Sequence, residues 1–159
     1  MSDDSNIRST GYFIARTLVP CRSCGRSTGV LALAVPPGHE RADGDTDDGT
    51  WQSADLPAFL FFLSWLPERV LQQIATHSKA FRLDDGDGSL NRNWSNHCEH
   101  CDELLSDEDL HCEPGAFLAF SEAEAANIQI QYIHDAFEAA AAGYAPDPAF
   151  IPWPSIFST

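Results

Sequence analysis

Two CxxC pairs, Cys21-Arg22-Ser23-Cys24 and Cys98-Glu99-His100-Cys101, constrain this chain more than any other feature of its sequence. Two residues between cysteines let both sulfurs face one tetrahedral cation while the intervening backbone turns its amides toward the thiolates. Gly25 follows the first pair and supplies the left-handed backbone conformation that such a turn wants. Asp102 stands at the same place after the second pair, and aspartate is among the few other residues that tolerate it. Either pair alone is open to reading as a redox dithiol or as two buried cysteines. A thioredoxin-like dithiol belongs at the strand-to-helix junction of a βαβ unit, and neither pair is placed that way. Together, with strand-like stretches leading into both, they point to a single Zn²⁺ held by Cys21, Cys24, Cys98 and Cys101. A closed four-thiolate site leaves zinc no position for water, so the expected role of the metal is structural.

The redox setting supports the same reading. The N-terminus, MSDDSNIRST, has no basic stretch leading into an apolar one, so no secretory signal is read and the expected location is cytoplasmic. Five cysteines in a reducing compartment are thiols or metal ligands rather than a disulfide framework. Cys112, the odd one, reads as a buried, inert thiol. His97, His100 and His111 crowd the second pair and read as neighbouring or surface groups, with the His100 side chain turned outward.

A chain of 159 residues is expected to form one domain, residues 1–159, burying roughly two thirds of its unfolded surface. Ten Phe and four Trp give it the material for a core despite a formal net charge of -15. The excess of 24 acidic over 9 basic residues repels phosphate backbones, which excludes nucleic acid as a ligand. The longest apolar stretch, Ala58 to Leu66, is too short to cross a bilayer and ends at Pro67, so no membrane association is expected.

Periodicity places strands over Gly11 to Val19 and Gly29 to Val35, with the first CxxC pair at the tip of the hairpin between them. AFLFFLSW reads as a buried strand, and Leu66-Pro67-Glu68 opens a helix whose Val70, Leu71, Ile74 and Ala75 recur at helical spacing. KAFRLDD, NWSNH and NIQIQYI read as further strands. Ser121 and Glu124 have capping-box spacing for a short helix. DAFEAAAAGY reads as a terminal helix stopped by Gly143. Residues 1–10 are expected to be a flexible N-terminus, 36–57 a long acidic loop, and 144–159 an irregular proline-rich tail. The fold class is therefore α+β, a mostly antiparallel sheet with packed helices and a split zinc-ribbon-like site of four cysteines.

Two CxxC turns at strand ends resemble a zinc ribbon whose halves are separated by residues 25–97. More closely, CRSCGRSTGVLALAVPPGHE together with NHCEHCDELLSDEDLHCEPGAF resembles a family of small, uncharacterised bacterial proteins carrying the same two turns. That resemblance implies one site for Cys21, Cys24, Cys98 and Cys101, and no activity.

Other motifs do not hold. DDGDGSLNRNW and DGDTDDG lack the ligand spacing of a calcium loop and read as solvated acidic loops. No glycine-rich phosphate loop, GxSxG or HExxH occurs. Glu99 echoes the acid of zinc deaminases without their His-x-Glu motif. The function expected is a non-enzymatic acidic protein-interaction module, in its sharper form an inhibitor or immunity protein covering a basic partner such as a nuclease toxin. Asp107, Glu108 and Asp109 are its candidate partner-binding residues. The alternative is a hydrolase-like enzyme with a His and carboxylate cleft and a purely structural zinc.

Overall fold

The computed structural model describes residues 5–42, 51–84, 93–112 and 116–154. In chain order its strands are β1 (Ile7–Ser9), β2 (Tyr12–Pro20), β3 (Ser27–Val35), β4 (Glu40–Ala42), β5 (Trp51–Ser53), β6 (Ala58–Trp65), β7 (Phe81–Asp84), β8 (Asn93–His97), β9 (Leu104–Leu105), β10 (Gln129–Ile133) and β11 (Phe137–Pro146). Helices α1 (Glu68–Ala75), α2 (Asp107–His111) and α3 (Glu122–Ala125) interrupt them.

The hairpin of β2 and β3 is the one its sequence predicts, paired from Phe13 with Ala34 to Pro20 with Ser27. Phe13, Ala15 and Val19 bury one face of it with Val30, Ala32 and Ala34. Tyr12 and Ile14 bury the other with Leu31, Leu33 and Val35. Burial on both faces accounts for the apolar residues at successive positions of these strands, where a half-exposed strand would alternate strictly. The sheet runs β10-β2-β3-β6-β11-β1-β4-β5, with β8 branching from β6 and carrying β7 and β9. All the described pairings are antiparallel. The sheet curls into a half-barrel.

The curl leaves backbone groups that no strand covers, and two asparagines take them. β3 pairs with β6 only through Leu33, Ala34 and Val35. Beyond that point buried Asn96 on β8 accepts from the Leu31 amide at 2.8 Å and donates to the Leu31 carbonyl at 2.9 Å. Asn6 does the same to Ala141 of β11, at 2.9 and 2.7 Å. Each amide side chain imitates the edge of one more strand, so the buried peptide groups are satisfied where the sheet diverges.

Several expectations need correction. DAFEAAAAGY is not a helix but most of β11, bonded to β6 on one side and β1 on the other. Alanine favours helices locally, yet here small side chains suit a strand between two others: Ala139 is fully buried, and a Cβ on Gly143 would stand 2.2 Å from the Phe61 ring. The layer of packed helices is not found either, since the described helices have eight, five and four residues. α1 lays a buried stripe, Val70 and Ile74, on one face of the core, and the five-residue α2 buries Asp107, Leu110 and His111 on the other.

Within the segment expected to be a flexible N-terminus, Ile7–Ser9 lies between β11 and β4, because Ile7 is a core residue. The acidic loop contributes β4 and β5, and its residues 43–50, including DGDTDDG, lie outside the described residues. Most of DDGDGSLNRNW lies outside them too. In the proline-rich tail, Tyr144 to Pro146 continue β11, and Trp153 packs 4.9 Å from the Phe13 ring and 5.3 Å from that of Phe59. No helix among the described residues is long and apolar enough to cross a membrane.

Candidate metal centre

The two CxxC turns are built alike. In the first, the Gly25 amide donates to the Cys21 carbonyl at 2.8 Å and the Cys21 amide to the Arg26 carbonyl at 2.9 Å. In the second, Asp102 donates to Cys98 at 3.0 Å and Cys98 to Glu103 at 2.8 Å. Gly25 has φ +76° and Asp102 φ +70°, so the equivalence of the two positions expected from sequence holds in detail. The Asp102 carboxylate also forms an ion pair with Arg82 of β7.

The turns face each other so that all four sulfurs lie within 4.8 Å of one another. Cys21 Sγ is 3.5 Å from Cys101 Sγ, and Cys24 Sγ is 3.7 Å from Cys98 Sγ. A tetrahedral ion with metal–sulfur bonds of about 2.3 Å needs sulfurs roughly 3.8 Å apart, so the quartet has room for one such ion at its centre. The inner thiols, Cys21 and Cys98, are buried while Cys24 and Cys101 are exposed. Burial opposes ionisation of Cys98, yet the amides of Cys101 and His100 and the thiols of Cys24 and Cys21 outweigh it and lower its pKa, while the neighbouring thiols raise that of Cys101, so the quartet gives up its first proton at Cys98. Amides aimed at sulfur are what a thiolate ligand requires.

Side chains of the second turn fasten it to the first hairpin. Glu99 Oε1 accepts from the Gly29 amide at 2.6 Å, while the Glu99 amide donates to Thr28 Oγ1 at 2.9 Å. His100 is exposed, as expected, but its Nε2 also meets the Ser27 carbonyl at 3.0 Å. Nothing in the sequence marks Glu99 for this work; it depends on β3 passing beside the second turn. His97 is buried, with Nδ1 3.1 Å from the Ala80 carbonyl.

In comparison with known proteins, no family model matches the chain, and no curated protein or solved structure is significantly similar to it.

Cys112 is not buried: it caps the C-terminal end of α2 in an exposed position and is not part of the quartet. The three acidic residues of α2 separate. Glu108 is exposed and Asp109 half-buried, 3.6 Å from Arg22, whereas Asp107 turns inward. Its Oδ2 accepts from the Phe62 amide at 2.9 Å, where β6 takes φ +51°. Burial, opposed by that hydrogen bond, raises the Asp107 pKa to about 6. Asp107 therefore belongs to the packing of α2 on β6, and a partner meeting this helix meets Glu108 and Asp109.

His111, one turn after Asp107, lies flat against Phe61 with ring centres 4.5 Å apart and stacks on Phe117 at 5.3 Å. Burial lowers its pKa to about 3, so it is a neutral, aromatic member of the core. A groove of about 770 Å³ beside the hairpin contains His77, Glu99 and Glu124. Glu99 is engaged with Gly29, and Glu124 Oε1 accepts from the Phe120 amide at 3.0 Å. That bond and Ser121 Oγ accepting from the Glu124 amide at 3.2 Å make the N-terminal cap of α3 expected from sequence.

Proposed function

We propose that this protein is a non-enzymatic module of the bacterial cytoplasm in which one structural zinc joins the two CxxC turns and holds an acidic surface for a basic protein partner. In its sharper form the partner is a cationic enzyme, such as a nuclease toxin, which the module inhibits. The metal is zinc because a closed set of four thiolates at tetrahedral spacing suits that ion and leaves no site for substrate.

One observation carries the partner reading. Glu103 and Glu108 are exposed on the short segment from the second turn to α2, beside a site whose four thiolates and divalent ion sum to about -2. Hydrogen bonds from the Cys98 amide to the Glu103 carbonyl and from the Asp109 amide to Ser106 Oγ hold that segment in place. Rigidly presented charge raises the rate of encounter with a cationic surface more than it raises final affinity. The net charge of -15 adds a long-range field of the same sign.

The test is kinetic. A partner captured from the native host is mixed with the zinc-loaded protein, and its association rate is followed against ionic strength. The expected outcome is a rate that falls steeply with salt and falls again, on the order of tenfold, in Glu103→Lys/Glu108→Lys. A rate indifferent to both removes the physical basis of the proposal.

A further inference from the structure

Arg16 is the exception in this acidic molecule. Of the described cations, Arg8 contacts Glu40, Arg22 contacts Asp109, Arg69 contacts Asp135 and Arg82 contacts Asp102. Arg41 lies over the Tyr144 ring, 3.7 Å from its centre, while Arg26 and Lys79 are exposed to water. Arg16 is half-buried on β2 and meets no carboxylate among the described residues. With 24 acidic residues in the chain, an arginine that meets none of the described carboxylates keeps its guanidinium fork available to a ligand.

The place where Arg16 sits makes the exception meaningful. It lines the groove of about 770 Å³, a size typical of small-molecule sites. Leu31 and Gln129 flank it in register on the neighbouring strands. Across the groove lies His77, whose Nε2 is buried and has no hydrogen-bond partner. Burial and the charge of Arg16 both lower the His77 pKa, so the two groups feel each other. The two carboxylates that share the groove turn an oxygen to main-chain amides, Glu99 to Gly29 and Glu124 to Phe120, and neither pairs with Arg16 or His77.

We propose that this groove, between the β2–β3 hairpin and the turn at His77, binds a small molecule through one oxyanion group, a carboxylate or a phosphate, which Arg16 clamps and His77 Nε2 hydrogen-bonds. The guanidinium fork suits either group. Leu18, exposed at the groove, gives an apolar wall for the rest of the ligand, and Gln129 a polar rim. The site lies beside the second CxxC turn, since Glu99 lines both, so an occupied groove braces the junction of the two halves.

The experiment is an NMR titration of the metal-loaded protein with inorganic phosphate in one arm and acetate in the other, at constant ionic strength set with chloride. The expected result is saturable movement of the Gly29, Leu31 and Gln129 amides, with a rise in the His77 imidazole pKa, because a bound anion favours imidazolium. Stronger binding of one probe assigns the oxyanion as phosphate or carboxylate. Arg16→Gln should weaken that binding tenfold or more, with metal content and distant amides unchanged. If Arg16→Gln fails to fold, His77→Phe takes its place and should weaken binding several-fold. The proposal is overturned if neither probe moves these amides at millimolar concentration, if chloride alone reproduces the shifts, or if the variants bind as the parent does.

Discussion

The two CxxC turns share a backbone but not a means of support, and the difference shows how this fold is assembled. The first is the tip of a hairpin whose strands pair along eight consecutive positions, and both strands are core. Its geometry follows from the sheet. The second stands between β8 and the two-residue β9, and Asn96, Glu99 and His100 tie it to β3 through side chains. The first turn is a template, and the second is docked onto it. A shared metal would complete a junction that the docked half cannot sustain alone.

The largest expected effect is therefore loss of the metal, and it should fall unequally on the two turns. Structural zinc contributes on the order of 10 kcal/mol in small domains. Cys98→Ser, or chelation of the parent, should lower the melting temperature substantially. Hydrogen exchange should show amides of residues 97–105 losing protection while those of β2 and β3 retain theirs. Equal loss at both turns would contradict the template-and-docking distinction.

The second effect comes from the packing of α2, which follows the docked turn. His111 stays neutral down to about 3 against an ordinary value of 6.5, so between these values the unfolded chain binds a proton that the folded one refuses. Stability is lost as pH falls through that window. Asp107, raised to about 6 from 3.8, has the opposite sign: the folded state takes the proton first, and stability is lost as pH rises from about 4 to 6. His111→Phe should therefore flatten the acid side of the stability profile relative to the parent, and Asp107→Asn should steepen it between pH 6 and 4. Denaturant unfolding across pH measures both, and comparison with the parent removes the common contribution of thiolate protonation. A profile unchanged by either substitution would show that α2 is not packed as described.

Glu99→Ala comes next, costing about 1 kcal/mol because the Gly29 amide loses a charged acceptor at a solvent-accessible bond. Substitutions at the first turn's outward residues, such as Ser23→Ala, should stay within about 0.5 kcal/mol. The two equivalent positions differ from each other as well. Gly25→Ala places a Cβ in open space but at φ +76°, for a cost of about 1 kcal/mol. Asp102→Gly relieves the same conformation and gives up an exposed ion pair with Arg82, so it should be close to neutral. Thermal denaturation of the two variants side by side checks the pair.

What the sequence made legible divides along the same line. The hairpin, β6, α1 and the four cysteines were readable because period, spacing and Gly25 act over a few residues. Asp102 was readable because its equivalence to Gly25 is a matter of position in a repeated turn. β11 was not, since alanine-rich Phe137 to Pro146 favours a helix until β6 and β1 bind it from both sides. Asp107 and Cys112 were misplaced for a related reason. A five-residue helix carries too little periodicity to say which acid faces β6 and which cysteine faces water. Arg16 and His77 are far apart in sequence and come to line one groove only once β2 and the end of α1 are packed.

If one zinc joins the two turns as proposed, Cys21, Cys24, Cys98 and Cys101 are its four ligands. Zinc-edge X-ray absorption, combined with elemental analysis, tests it directly on the parent, Cys112→Ala and Cys98→Ser. A single zinc with four sulfur neighbours at about 2.3 Å is expected in the parent and in Cys112→Ala, and a weakened or emptied site in Cys98→Ser. Nitrogen or oxygen neighbours in the parent, loss of zinc from Cys112→Ala, or full retention by Cys98→Ser with an unaltered spectrum would contradict it.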